Sequence, residues 1–451
     1  MKLPEIKIAY IGGGSRQWAR TLLSDLAQCR ELAGTIDLYD IDLASAQKNA
    51  AIAEAIFNRP GARTRFSVRA VRRLADALRG ADFVILSIEP GPTTMRYADL
   101  EIPARYGILQ PVGDTTGPGG MARALRAVPI YARLALQIAE YCPKAWVVNY
   151  TNPMTLCVAA LYAVAPRLKA FGCCHEVFHT QAMLAGIAAE WLETPVPSRQ
   201  EIKVELSGIN HFTWITSADW RGRDLMAHLR ALAEKPVFRR SRVRSARANL
   251  RAERWFESSG MIAFDLLRRF GALGAAGDRH LAEFVPWYAT SELELNRWGV
   301  ILTPYAWRLR RARQADRPVS DFATKPLKAS GEEGVALIAA LAGGAPIRSN
   351  ANLPNGGQAP DLPLGHIVET NVAFRSDRVA PLATSPLPVG AAALVRRVVS
   401  VQQLTLRAAL ERDHDLAFQA LLLDPLVNLP VDKTWKMFKA MISHIRPHLQ
   451  G

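Results

Sequence analysis

The chain has 451 residues, 49% of them apolar and 22% charged, with a formal net charge of +15. That is ordinary globular composition in a chain long enough for two or three domains. The excess of arginine admits an anionic partner, but no zinc-finger spacing or aromatic-interleaved strand motif accompanies it, so nucleic-acid binding is not expected. Five cysteines, an odd number in a long chain, exclude a disulfide framework and fit a reducing, cytoplasmic setting. No apolar run reaches the length of a membrane span.

Residues 6–11 read as an apolar first strand rather than a signal peptide. They run into Gly12-Gly13-Gly14-Ser15, a helical stretch from 16 to 32, and a second strand, 35–40, ending in Asp40. Strand, glycine turn, helix and acid-tipped strand make a dinucleotide-binding unit. Glycine admits a pyrophosphate close to the backbone, and the helix start offers free N–H groups. Gly12, Gly14 and Ser15 are the candidate phosphate contacts. Asp40 is placed to accept from both ribose hydroxyls, which favours NAD over NADP. The fingerprint is imperfect, because Gln17 takes the third glycine position and Asp40 lies farther on than usual.

Further strands are expected at 64–70, 81–88, 145–150 and 170–172, separated by helical patterns. The fold class is therefore α/β, a Rossmann-type doubly wound parallel sheet like that of lactate and malate dehydrogenases. Each polar loop falls at a strand's carboxyl end, where such sheets bind ligands. Between the fourth strand and the helix from 122 to 139 lie Arg96, Asp99 and a glycine-rich run, 113–120, that contains Asp114 and suits a mobile segment over a site. Asn149-Tyr150-Thr151-Asn152-Pro153 closes the fifth strand. Its Asn149 could bond a nicotinamide ribose and its Asn152 a substrate hydroxyl. The sixth strand delivers Cys173-Cys174-His175-Glu176-Val177 to a strand-to-helix corner. Two buried small residues would explain the cysteines equally well on local grounds.

After about residue 198 the rhythm changes, giving an NAD-binding domain, 1–198, and an α+β domain, 199–451, for substrate, metal and oligomerisation. Residues 202–206 alternate as a strand, and 207–214 read as another, broken by Asn210-His211. Asp278, Arg279, His280 and Glu283 gather within little more than a helical turn, as an exposed helix start or as a wall of the site. Helical patterns close the chain near 334–342, 391–411 and 433–444.

Laid out in this order, the chain resembles glycoside hydrolase family 4, the NAD- and divalent-metal-dependent glycosidases. The resemblance runs from the glycine turn through Asn149–Pro153, Cys174-His175 and Gly208-Ile209-Asn210-His211-Phe212 to 352–356 and Val368-Glu369. Cys174-His175-Glu176-Val177 is similar to the motif of α-galacturonidases, with α-glucuronidases close by. The resemblance implies Cys174 and His211 as ligands of a metal, typically Mn²⁺, and Asp114 as an acid used in protonation. It also implies Asn152 and His175 at the substrate, and Gly12, Gly14 and Asp40 at NAD. The chemistry it implies is oxidation at C3 of the sugar, removal of the C2 proton, elimination of the C1 oxygen, addition of water and reduction.

Many members carry a tyrosine as the C2 base, and residues 270–277 hold none, so Asp278 stands in as the candidate. A uronate carboxylate calls for a guanidinium fork, for which Arg96 and Arg279 are the candidates. Glu176 has the wrong sign for that carboxylate and is expected on a sugar hydroxyl or a cationic neighbour. The partners implied are small uronic-acid oligosaccharides and a second copy of the chain, as a homodimer or larger homo-oligomer. An α-glucuronidase and a metal-free hydroxyacid dehydrogenase are the competing functions.

Overall fold

In the computed structural model, which describes residues 5–239, 243–324 and 326–449, short apolar runs alternating with helices build one large sheet. Its first six strands are β1 (Glu5–Ile11), β2 (Ala33–Tyr39), β3 (Phe66–Val71), β4 (Phe83–Leu86), β5 (Trp146–Asn149) and β6 (Lys169–Gly172). All pair in parallel, in the order β3-β2-β1-β4-β5-β6, which is the doubly wound order of dinucleotide folds. Helices cover both faces, so β4 is buried at every position and reads as a continuous apolar run.

The chain then builds a small antiparallel sheet from β7 (Lys203–Ile209), β8 (Phe212–Trp220), β9 (Arg223–Asp224) and β10 (Leu273–Gly274). Residues 207–214, expected as one strand, are a hairpin instead. Ile209 pairs with Phe212, which leaves Asn210-His211 as a two-residue turn. His211 has φ 64, a left-handed conformation that a side chain other than Gly or Asn adopts at a cost of about 1 kcal/mol.

Part of residues 199–451 returns to the first sheet. β11 (Ile347–Pro354), β12 (Ile367–Arg375) and β13 (Arg378–Pro381) return to extend the large sheet beyond β6 in antiparallel fashion. The seam is one residue pair, Gly172 opposite Asn352. A Cβ on Gly172 would stand 2.6 Å from the Met154 side chain and 3.0 Å from Cβ of Asn352. Glycine is thus what lets the returning strand reach β6, two residues before Cys174.

The glycine-rich run is not a mobile segment. Gly117–Gly120 open the buried start of the helix Gly117–Tyr141. That helix is fastened to the helix Thr93–Ala104 by a bidentate ion pair of Arg126 with Asp99, at 2.9 and 2.6 Å, whose side chains are 1% and 2% exposed. Nε of Arg126 donates to the Pro90 carbonyl at 2.9 Å, so the buried charges are matched in number and direction. Asp99 is a structural acid for this reason. Among the described residues no helix is long and apolar enough to cross a membrane.

At the other end of the sheet, the Gly12 and Gly13 N–H groups both donate to the Tyr39 carbonyl at 2.9 Å. Gly12 has φ +92, and a Cβ there would lie 2.0 Å from the Ser87 carbonyl oxygen. Neither the backbone angle nor the neighbouring main chain can relax. Gly12→Ala should therefore lower the thermal midpoint by the equivalent of about 2 kcal/mol or more and weaken NAD binding. Gly61→Ala, with nothing within 4 Å of its added Cβ, should leave both unchanged. Thermal denaturation of the two variants, with and without NAD, checks this.

Candidate active site at the seam of the two sheets

The glycine turn is braced from its neighbours. Gly14 N–H donates to Oδ2 of Asp40 at 2.8 Å, and Asp42 N–H to its Oδ1 at 3.0 Å. The acid at the tip of β2 thus stands against the turn, where a ribose would lie in this fold. Buried Asn49 donates to the Gly13 and Ser15 carbonyls at 2.7 and 2.9 Å. Ser15 Oγ receives the Trp18 N–H at 3.1 Å and so starts the next helix. Trp18 lies 5.7 Å, centroid to centroid, from both Tyr150 and His175, a ring row leading from the turn toward the cysteine corner.

Asp114, His211 and His280 come from three separate segments, yet one potential ligand atom of each lies within 4.8 Å of the others. Thr115 orders this group. Its hydroxyl donates to Oδ1 of Asp114 at 2.7 Å and lies 2.8 Å from Nδ1 of His211. A hydroxyl has one proton, so Nδ1 must carry its own and donate, which leaves the Nε2 lone pair free. Burial, and then the neighbouring His280, push the His211 imidazole down to about 3, so it is neutral and fit to ligate a cation. The two imidazole centroids are 3.8 Å apart. Burial opposes ionisation of Asp114, but His280, His211, Arg96 and Arg123 outweigh it and hold the carboxyl below its usual range. In this state Asp114 is a carboxylate, suited to a cation or to accepting a proton and not to supplying one. Asn152 donates to its Oδ2 at 3.2 Å.

Cys174 lies outside that trio. It is buried, and its thiol is pushed well up by burial and then by Glu369 and Glu176, against a hydrogen bond from the Asn210 side chain. Asn210 precedes His211 in the hairpin turn, so this contact ties the thiol to the imidazole's backbone. Glu369 on β12 holds the arrangement from behind. It accepts from Asn350 Nδ2 at 2.6 Å, Thr213 Oγ1 at 2.9 Å and Asn210 Nδ2 at 3.4 Å. The Asn350 amide also donates to the Cys174 carbonyl at 3.3 Å. Glu176 faces the same space. Its Oε2 accepts from Gly277 N–H at 2.8 Å, and its Oε1 lies 3.7 Å from His280 and 3.8 Å from His175. Despite burial, those imidazoles with His211 draw Glu176 down to about 2. His175 Nδ1 is 3.3 Å from Glu332.

Three expected site residues have other tasks. Asn149 accepts from Tyr131 Oη and the Thr151 N–H and donates to the Thr151 carbonyl, at 2.6, 3.0 and 3.0 Å, so it shapes the turn and its amide is engaged there. Asp278 is no free base. Its carboxylate accepts the Met261, Ile262 and Ala263 N–H groups at 3.0, 3.0 and 3.3 Å, capping the helix Met261–Phe270. Arg279 donates to the carbonyls of Trp255, Ile301 and Pro111 and to Thr303 Oγ1, which occupies both terminal nitrogens.

Four contributors went unassigned in the sequence. Thr115 lay inside the glycine-rich run, and His280 beside the more conspicuous Asp278. Glu369 stood in a strand with nothing to mark it as buried. Glu283 accepts from Val112 N–H at 2.5 Å and Gly113 N–H at 2.9 Å, more than 160 positions away. It latches the loop that carries Asp114 to the wall that carries His280. No local pattern encodes so distant a pairing.

Two family models match the chain, the family 4 glycosyl hydrolase over residues 7–190 and the family 4 glycosyl hydrolase C-terminal domain over 206–427. The alpha-galacturonidase of Thermoanaerobacterium saccharolyticum is 43% identical over all of this chain and 98% of its own length. The solved Bacillus subtilis protein lplD is 44% identical, with a TM-score of 0.88 over 97% of this chain and 99% of that one. A 6-phospho-beta glucosidase of Thermotoga maritima, solved with manganese, NAD⁺ and glucose-6-phosphate, shares the fold at 21% identity, with a TM-score of 0.76 over 98% of this chain and 99% of that one. The chain belongs to the family 4 glycosyl hydrolases.

The Glu283 latch has a pH signature. Burial raises its carboxyl to about 8, against the N–H groups of Val112 and Gly113 that favour the anion. The unfolded value is about 4.3. A carboxyl raised on folding contributes stability that is complete below the unfolded value and lost as pH climbs through the folded one. The thermal midpoint should therefore fall as pH rises from about 4.5 to about 8 and level off above that, and Glu283→Gln, with no proton to lose, should flatten that fall. An undiminished slope in the variant would assign the titration elsewhere.

Proposed function

We propose that this family 4 glycosyl hydrolase releases galacturonic acid from small α-linked galacturonides, using bound NAD and a divalent cation, typically Mn²⁺. The observation that carries the reading is the convergence of Asp114, His211 and His280 on one 4.8 Å space, at the carboxyl edge of a doubly wound sheet. The full-length likeness to an alpha-galacturonidase and the Cys174-His175-Glu176-Val177 motif supply the sugar. NAD comes from the glycine turn with Asp40, and from the cofactor named for the Thermotoga relative. We further read the chain as a cytoplasmic homodimer or larger homo-oligomer, as the family resemblance implies.

The donor set fits a cation. His211 presents a neutral Nε2 and Asp114 an ionised oxygen, and the side-chain oxygens of Asn152 and Asn210 are buried without a hydrogen-bond partner. Unpaired buried acceptors of this kind are costly unless something binds them. His211 and Asp114 would hold the ion, with Cys174 as the further ligand that the family resemblance implies, and the Gly12–Ser15 turn with Asp40 would hold the dinucleotide. Bound there, the dinucleotide would supply reversible oxidation at C3 of the sugar and the ion would supply Lewis-acid polarisation beside it.

The rest falls to the chain's own side chains. With Asp278 capping a helix, His280 is the base we assign to the C2 proton, since its ring faces the space shared with His211 and Asp114. The Oδ1 of Asn152 accepts a sugar hydroxyl, and the Glu176 carboxylate, kept ionised, accepts another. His175, between Glu332 and Glu176, is the substrate-side imidazole.

Nitrophenyl α-galacturonide should be cleaved only with NAD⁺ and Mn²⁺, without net NADH, faster than the glucuronide, galactoside or glucoside. A neutral sugar as best substrate, or NADH accumulating with turnover, would overturn the reading. His280→Asn should lower kcat by about 10²–10⁴-fold and slow exchange of the C2 proton. Cys174→Ser should abolish turnover while NAD binding stays near normal. Asp278→Asn should lower the thermal midpoint with a far smaller effect on kcat.

A further inference from the structure

Three guanidiniums crowd the flank of Asp114, and they are not equivalent. Arg279 is held by three carbonyls and a hydroxyl, as described. Arg308, on the helix Tyr305–Gln314, makes one long contact, from Nη2 to the Pro111 carbonyl at 3.4 Å, and its buried Nε has no hydrogen-bond partner. Arg96, on the helix Thr93–Ala104, lies 3.8 Å from Oδ2 of Asp114, and its buried Nε is likewise without a partner. The two helices are joined where these arginines sit, because Tyr97 and Tyr305, each close by in sequence, stack with centroids 4.1 Å apart.

The local charge does not balance. Burial, followed by Arg96 and Arg279, brings Arg308 down to about 9, and Asp114 and Glu283 only partly oppose this. Among the described residues Arg96 has a carboxylate within ion-pair distance, Asp114 at 3.8 Å, while Arg279 and Arg308 have none. A guanidinium held partly out of water with idle donors is costly to keep, and its geometry matches two oxygens of a planar anion.

We propose that Arg96 and Arg308 form the fork that grips the C6 carboxylate of the sugar and so select uronides over neutral hexosides. The proposal rests on the galacturonidase reading above and adds a residue that reading lacks. Arg308 stands in a run, Arg308-Leu309-Arg310-Arg311, whose sequence alone suggests a solvated face. The fold divides it, for Arg310 is exposed and pairs with Glu253 at 2.6 Å, whereas Arg308 turns inward. Arg279 is a positioning residue that fixes the Pro111 carbonyl.

The test uses the holoenzyme with nitrophenyl α-galacturonide, its uncharged methyl ester and nitrophenyl α-galactoside, on the wild type, Arg308→Gln, Arg96→Gln, Arg308→Lys and Arg310→Gln. For Arg308→Gln and Arg96→Gln, KM for the galacturonide should rise about 10- to 100-fold with a smaller change in kcat. The preference for acid over ester should shrink by a similar factor. Arg308→Lys, which keeps the charge but not the fork, should lose part of that preference, and Arg310→Gln none of it. Calorimetric binding of free galacturonate gives a second readout that needs no turnover, with thermal melts to establish that each variant folds. If acid and ester lose rate equally in Arg308→Gln, or galacturonate binds it as it binds the wild type, the fork is wrong although the enzyme remains a galacturonidase. A wild type that prefers the galactoside removes the activity reading and the fork with it.

Discussion

One buried carboxylate fixes the relation between the two sheets. Glu369, 1% exposed, receives Asn210 and Thr213 from the small sheet and Asn350 from the large one. Burial raises its carboxyl and these donors pull it back. Satisfied on several sides, such a group is a rigid node, and an unsatisfied one would be costly. Its partners lead directly to chemistry. Asn210 neighbours His211 and contacts the Cys174 thiol, and Asn350 holds the Cys174 carbonyl. The hairpin turn and the cysteine corner, far apart in sequence, are thereby indexed to one acid.

The same logic governs the opposite wall. Asp114 can face His211 only because the loop before it is latched by Glu283 and propped by Arg279 through Pro111. Both are in the short segment that bears His280. A site assembled from that loop, the hairpin turn and that segment is built on backbone held by hydrogen bonds from distant parts of the chain. Preorganisation of this kind means that charge-stabilising groups need not reorganise when a sugar arrives. It also explains why His211 tolerates a left-handed backbone, since the turn is over-determined by the strands on either side and by Thr115 beneath the ring.

Much of this was legible beforehand. The alternation of apolar runs and helices gave the sheet, because parallel strands buried on both faces leave a strong local trace, and the glycine turn with Asp40 named the cofactor. The sequence could not disclose that residues 347–381 rejoin the first sheet, for strand pairing across nearly 200 positions leaves no periodic mark. Nor could it distinguish Asp278 from His280, or Arg279 from Arg308. In each pair the more conspicuous residue proved structural. The difference lies in whether the donors and acceptors of each are already satisfied by main chain, which only the three-dimensional arrangement decides.

That distinction bears on the excess of arginine as a whole. A cation whose terminal nitrogens meet carbonyls or carboxylates stabilises the fold and is silent toward ligands, however central its position. One whose Nε is buried and idle is a standing demand for an anion. Arg126, Arg279 and Arg123 are of the first kind, matched to Asp99, to carbonyls, and to Glu89 with the Asn152 carbonyl. Arg96 and Arg308 are of the second. Net charge therefore says less about partners than the unmet guanidinium donors, and among the described residues the buried ones of that kind are those of Arg96 and Arg308, beside Asp114.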